Sequence, residues 1–406
     1  MRILISAGEA SGEMYGAQLI EALRRRFGLT TELRSTGQPL RLRSGQALAA
    51  VPTQGLEFFG VGGDRMRAAG CVTVVDAKDL AVVGVSEIVS HLPKIYRLFH
   101  KLIAEADKRQ PDLAIVIDSP AFNWRVARRM RKRGIPVVYY VCPQFWAWRQ
   151  GRVRLLRKYV DKALVIFPFE EKFYRDRGVD AMFVGHPLAD LCPPSTDRDS
   201  YAATRKLDAT KPWITVMPGS RKKEVRMNLP GILESVSKLG SGYEFLLPIA
   251  PTLDRSFLES LMGREPLHLV SDALPALGHS RAGIIASGTA TMEAAIMGTP
   301  FVMVYRVSPL TYLLGRPRVR VPHFAMVNLI AGREVVPELV QHDFTAENVV
   351  ARLREILQDG AARTQMIEGL AHVKTMLRGS DSEALHPAER AAEAIVAVMQ
   401  GSTVET

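Results

Sequence analysis

Runs of four to six apolar residues alternate along the chain with longer stretches whose apolar positions fall three and four apart. That switch of period predicts buried parallel strands alternating with amphipathic helices, an α/β plan. In the first half, strands are expected over residues 1–6, 111–117, 136–141, 162–167 and 181–184, with a further strand and glycine turn over 58–63. In the second half they are expected over 213–217, 245–248, 268–270, 282–286 and 300–304, and helical runs over 346–357, 361–376 and 382–399 close the chain. A helix is expected over 15–27 and another over 86–106. The apolar stripe of the second contains Ile88, Val89, Leu92, Ile95, Tyr96, Phe99 and Ile103. Two readings fit that stripe: a face turned to the core, or a face that meets lipid while Lys94, Arg97 and Lys101 meet headgroups.

The rhythm breaks twice. Residues 28–55 mix Thr, Ser, Gly and Pro with no sustained period and read as a surface insertion without a catalytic part. Residues 190–211 are charged and proline-rich and read as a linker. The expected organisation is a Rossmann-like domain over 1–189, the linker, a second Rossmann-like domain over 212–375, and a C-terminal helix and tail over 376–406 that can pack back on the first domain.

The turns after the strands hold the candidate chemistry. After the strand 282–286 come Ser287, Gly288 and Thr289, then a helix closed by Gly298 and Pro300. Unpaired N–H groups and a positive helix end there suit a phosphate, hydroxyls at Ser287, Thr289 and Thr291 add donors, and Glu293 could accept from a ribose diol. An ordinary capped helix start fits the same residues. Pro218-Gly219-Ser220-Arg221 repeats the arrangement with a guanidinium for bidentate contact. In the first half, the strand 111–117 delivers Asp118 to its carboxyl end, as a helix cap or as a general base. Trp146-Ala147-Trp148-Arg149 could pack a sugar or acyl chain and hold a phosphate, or seal the domain edge. His186 fits either a structural or a cleft position.

Composition narrows this. A net charge of +11 and a pI near 9.6 imply an anionic partner: phosphate, nucleic acid or an anionic membrane face. The basic residues are scattered and carry no nucleic-acid motif, so nucleic acid is not expected. No run of eighteen apolar residues occurs, the first strand starts at once, and Cys71, Cys142 and Cys192 show neither metal nor disulfide spacing. A cytoplasmic protein is expected. The absence of G-x-G-x-x-G argues against a nicotinamide or flavin, and the single Asp-x-Asp, Asp197-Arg198-Asp199, falls in the expected linker and not at the end of a strand, so neither cofactor nor metal is expected.

Two such domains with a pyrophosphate-and-ribose site describe the GT-B architecture, two doubly wound Rossmann-like domains facing a cleft. More specifically, the chain resembles the lipid-A-disaccharide synthase family in Ala7-Gly8-Glu9-Ala10-Ser11-Gly12, Gly60-Val61-Gly62-Gly63, Ile117-Asp118-Ser119-Pro120, Trp146-Ala147-Trp148-Arg149-Gln150 and Gly185-His186-Pro187. The match continues in Pro218-Gly219-Ser220-Arg221, Ala286-Ser287-Gly288-Thr289 and Asn328-Leu329-Ile330-Ala331-Gly332-Arg333-Glu334. Glu13 stands where the family usually has Asp, and residues 30–55 are longer than the family pattern.

The resemblance implies an inverting transfer from UDP-2,3-diacylglucosamine to 2,3-diacylglucosamine 1-phosphate, giving a β-1,6 disaccharide 1-phosphate and UDP. It implies Asp118 as the base for the acceptor 6-hydroxyl. Ser220, Arg221, Ser287, Gly288, Thr289, Glu293, Asn328, Arg333 and Glu334 would hold the UDP-sugar. Glu9, Ser11, Gly12, Glu13, Trp148, Arg149 and His186 would lie on the acceptor side. Diacylated substrates imply peripheral docking on the cytoplasmic face of the inner membrane, with Ile88, Val89, Leu92, Ile95 and Tyr96 as the docking stripe; a homodimer is open. The rivals in this fold are the lipid-linked N-acetylglucosaminyltransferase of peptidoglycan synthesis and a UDP-sugar 2-epimerase.

Overall fold

The computed structural model describes residues 1–35, 55–80, 85–263, 265–316, 319, 321–379 and 385–401. The chain divides into two compact units, Met1–Pro187 with Asp381–Thr406, and Leu188–Ser380.

The first unit is built on seven parallel strands: β1 (Arg2–Ala7), β2 (Glu57–Gly62), β3 (Cys71–Asp76), β4 (Leu113–Ile117), β5 (Val137–Tyr140), β6 (Lys162–Val165) and β7 (Ala181–Phe183). Their order is β3-β2-β1-β4-β5-β6-β7. Apart from exposed Arg2 the central strands β1, β4 and β5 are buried, which explains why they read as continuous apolar runs. Phe99, Leu102 and Ile103 of the helix Val85–Arg109, Phe122, Val126 and Met130 of Pro120–Arg131, and Val153 and Leu156 of Val153–Tyr159 pack in one core cluster with alternate strand residues. The C-terminal helix Pro387–Met399 lies on the helix Ala10–Ser35, tied by Arg25–Glu389 at 2.7 Å and Arg26–Glu393 at 2.6 Å.

The second unit has six parallel strands: β8 (Trp213–Met217), β9 (Glu244–Pro248), β10 (Leu267–Val270), β11 (Ala282–Ala286), β12 (Phe301–Tyr305) and β13 (Glu338–Val340), in the order β10-β9-β8-β11-β12-β13. Each sheet therefore reverses its winding once, between β1 and β4 and between β8 and β11. Open α/β sheets bind ligands beyond the strand carboxyl ends at such a point.

Two boundaries differ from the sequence reading. The first helix runs to Ser35, so residues 28–35 continue it through Gly28, at the cost of about 1 kcal/mol for a glycine inside a helix. The remainder of the expected insertion, residues 36–54, lies outside the described residues. The expected linker belongs to the second unit. It forms the helix Arg198–Arg205, whose Tyr201 and Ala202 pack with Leu207 on Trp213, while the Arg198 guanidinium sits 4.0 Å over the Trp213 ring. Its charges and prolines hid three apolar anchors spread over seven positions.

Candidate active site

At the switch point of the first unit, Ala7 of β1 pairs with Ile117 of β4, so Gly8 and Asp118 leave the sheet side by side. Asp118 and Ser119 both take positive φ (47° and 45°), a sharp exit that non-glycine residues adopt at a cost of about 1–3 kcal/mol each. Hydrogen bonds hold it. The Asp118 N–H donates to the Tyr140 carbonyl at 3.2 Å, and its carbonyl accepts from the Tyr139 hydroxyl at 2.8 Å and the Asn123 amide at 2.9 Å. Buried Asn123 also donates to the Ser6 and Ile117 carbonyls and accepts the Ser6 hydroxyl at 2.7 Å, clamping β1 and β4 to the start of the 120–131 helix. Gly8 is needed for space: a Cβ there would meet Ser119 Oγ at 2.7 Å.

Burial, and secondly the charge of Glu9, raise the Asp118 carboxyl from 3.8 to about 6, against the opposing Ser119 N–H. Such a group is ionised at neutral pH yet basic enough to take a proton, as a general base requires. Glu9 and Ser11 are exposed beside it, and Gly12 packs on Ala7 and Ile117.

Two residues assigned to the acceptor side have other duties. The Glu13 carboxylate accepts the Arg65 N–H at 2.8 Å at the start of the helix Asp64–Ala68, and a Cβ on Gly63 would collide with it. His186 is buried against Phe167, ring centroids 5.3 Å apart, and burial holds it neutral with a pKa near 3. Trp148 and Arg149 do face outward. Trp148 is 49% exposed, with the Arg149 guanidinium 4.0 Å over its ring.

Glu170 escaped the sequence reading. It is 1% exposed on the helix Pro168–Arg175 and accepts the Trp146 indole N–H at 2.8 Å and the Ile166 and Phe167 N–H groups at 3.2 and 3.1 Å. Burial raises its pKa to about 7, although all three bonds pull it down. Its signal was a Glu two residues after Pro168, the pattern of a capping box.

At the switch point of the second unit, Ile285 of β11 pairs with Met217 of β8, which brings the 218–221 and 287–289 turns together. Gly288 has φ 143° and precedes the helix Thr289–Met297. Gly288 and Thr289 are exposed, and the N–H groups of 288–290 have no acceptor among the described residues. Two expected donor hydroxyls are committed elsewhere: Ser287 donates to the Phe324 carbonyl at 2.9 Å and Thr291 to the Gly288 carbonyl at 2.7 Å. In the neighbouring turn, Glu224 accepts the Ser220 and Arg221 N–H groups at 3.2 and 3.3 Å and pairs with the Arg221 guanidinium at 2.8 Å. A phosphate at Arg221 therefore competes with Glu224, a carboxylate whose place three residues after Arg221 again marks a capping box.

Glu293 is partly buried, its pKa is raised by burial, and it has no hydrogen-bond partner among the described residues. Asn328, assigned to the nucleotide sugar, is fully engaged instead. Its amide donates to the Val336 carbonyl and Glu338 and accepts the Val335 and Val336 N–H groups, which fixes the helix Met326–Ala331 to β13. Arg333 and Glu334 are exposed just beyond that helix.

The docking stripe divides. Phe99 and Ile103 are in the core, and Ile95 packs partly against it. Leu92 and Tyr96 stand out, 52% and 66% exposed. The side chains of Ile88 and Val89 lie outside the described residues.

Residues 3–392 match the family model for lipid-A-disaccharide synthetase. The chain is 50% identical over 405 residues to the lipid-A-disaccharide synthase of Koribacter versatilis, covering 98% of this chain and 99% of that one. It is 46% identical to that of Acidobacterium capsulatum, covering 94% and 93%. Among solved structures it is similar to the UDP-GlcNAc 2-epimerase of Neisseria meningitidis bound to UDP-GlcNAc, with TM-score 0.58, 12% identity and coverage of 99% and 100%. It is also similar to the calicheamicin glycosyltransferase CalG4, with TM-score 0.56, 14% identity and coverage of 100% and 99%. At that identity these structures share the fold, two Rossmann-like domains of the GT-B kind.

Proposed function

The chain belongs to the lipid-A-disaccharide synthase family, and from that premise we infer how its two switch points divide the work of one glycosyl transfer. It is a glycosyltransferase that joins UDP-2,3-diacylglucosamine to 2,3-diacylglucosamine 1-phosphate. The products are the β-1,6 disaccharide 1-phosphate and UDP. Inversion at the anomeric carbon needs one in-line displacement and one base. The Asp118 carboxylate takes the proton of the acceptor 6-hydroxyl as that oxygen bonds to the anomeric carbon and the bond to UDP breaks. The N–H groups of 288–290 and the Arg221 guanidinium receive the charge that develops on the leaving diphosphate. Glu293 accepts from the ribose. Trp148 and Arg149 receive the sugar face and phosphate of the acceptor.

The observation that carries this assignment is Asp118 itself: a carboxylate at the carboxyl end of a strand, at the switch point, with its pKa raised to about 6. The test is product analysis with both substrates for the parent and Asp118→Asn. Disaccharide from the parent and none from the variant is expected. Turnover of the UDP-sugar without acceptor would instead indicate an epimerase.

The acceptor carries two acyl chains, so the enzyme works at a bilayer surface. No described helix is long and apolar enough to cross a membrane. Exposed Leu92 and Tyr96, with Lys94, Arg97 and Lys101 on the same helix, support shallow docking of the 85–109 helix on the cytoplasmic face of the inner membrane.

A further inference from the structure

Glu170 is a buried carboxylate that the transfer mechanism does not use. Its partners are an indole and two backbone N–H groups, and no cation pairs with it among the described residues. Capping the 168–175 helix does not require the charge. Glutamine serves a capping box as well as glutamate, and an unpaired carboxylate in an apolar interior is costly. The remaining bond is the one to Trp146, at 2.8 Å.

Trp146 is the pin of the turn that follows β5. Its ring meets Phe169 edge to face, centroids 4.9 Å apart, and its carbonyl accepts the Gln150 amide at 3.0 Å. The turn is anchored at its start by the Tyr174 hydroxyl, which donates to the Pro143 carbonyl. Between Trp146 and Gln150 lie only Ala147 and the outward-facing Trp148 and Arg149. The turn leaves β5 next to Tyr140, whose carbonyl accepts the Asp118 N–H. With these contacts, the Glu170–Trp146 bond ties the turn that carries Trp148 and Arg149 to the 168–175 helix.

We infer that Glu170 is a positioning residue for the transfer: through the Trp146 indole it holds the turn that presents Trp148 and Arg149 to the acceptor, an inference that rests on the acceptor reading of this turn. Glu170 touches no substrate. It accepts one N–H bond that sets the register of the turn, and a charged acceptor makes that bond stronger than a neutral one would be.

The test is steady-state kinetics of the full-length protein with each substrate varied in turn, for Glu170→Gln, Trp146→Phe and the double variant. Glu170→Gln keeps the helix cap and offers its amide N–H groups to the indole in place of a charged acceptor. Trp146→Phe keeps the ring packing and the carboxylate but removes the N–H. The expected result is a rise in acceptor KM of roughly tenfold or more in each single variant, with donor KM unchanged. The double variant should be no worse than either single one, because both remove the same bond. Glu170→Asp, one methylene short, should fail to rescue. Equal loss of kcat with both KM values unchanged and a lowered melting temperature would mean that Glu170 only stabilises the unit, and would overturn the inference. So would additive losses in the double variant. If Glu170→Gln does not fold, Trp146→Phe, which keeps the cap, decides the matter by the same acceptor KM. The acceptor reading of the turn fails separately, by an acceptor KM unchanged in both Trp148→Ala and Arg149→Ala.

Discussion

Asp118→Asn should make the protein less active and more stable at once. The native carboxyl has a pKa of about 6 against an ordinary 3.8. Between those values the native state holds a proton that the unfolded state has released, so stability falls as pH rises through this window. Above pH 7 the whole penalty applies. Two pH units or slightly more, at about 1.4 kcal/mol each, give about 3 kcal/mol. Asp118 keeps some contact with solvent, so screening makes this an upper figure. The cost is largely absent below the ordinary value and roughly half present at pH 5. Asparagine has the same shape and no charge, so the variant escapes the penalty. Urea denaturation of parent and variant at pH 5 and pH 8 should show the variant more stable, by a margin that widens with pH, while turnover falls by about 10²–10⁴-fold. A variant no more stable than the parent at pH 8, or a margin that does not change with pH, would refute the desolvation argument. Turnover within about threefold of the parent would refute the base assignment.

Glu9→Gln should move the acid limb of kcat/KM to lower pH, because Glu9's charge is the second cause of the raised Asp118 value; an unmoved limb would remove Glu9 from the account. Arg221→Ala should weaken UDP binding, measured by calorimetry, but by less than the ~1.5–3 kcal/mol of a full charge-assisted bond, because Glu224 already competes for the guanidinium. Glu293→Ala should weaken UDP by about that full amount, since a carboxylate partly buried with no partner among the described residues is ready for the ribose; unchanged affinity in both variants would place the nucleotide elsewhere. Leu92→Ser with Tyr96→Ser should release the protein from anionic vesicles with little change in melting temperature, since both side chains are exposed. A large drop in melting temperature, or undiminished vesicle binding, would remove the helix from the docking surface.

Much was determined by the sequence alone. The buried parallel strands read as apolar runs because a strand covered on both faces has no polar side to display. The strand–turn–helix units at Asp118, Ser220-Arg221 and Ser287-Gly288-Thr289 were legible because small residues and prolines mark where a strand must stop and a helix begin. Their family motifs supplied the reaction. Sequence could not say which turns are neighbours. That depends on the single reversal of strand order in each sheet, which brings 8–12 beside 118 and 218–221 beside 287–289. Nor could it say which polar groups are already taken. Asn328, Glu13 and His186 stand in motifs like ligand residues, but their partners are Val335 and Glu338, the Arg65 N–H, and the Phe167 ring. Glu170 and Glu224 are ordinary letters in capping boxes until packing closes over the first and the Arg221 guanidinium pairs with the second. A hydrogen bond is satisfied in three dimensions, by whichever group the fold brings within reach. The order of residues fixes where donors and acceptors lie along each element, and tertiary contact alone decides which of them remain for a substrate.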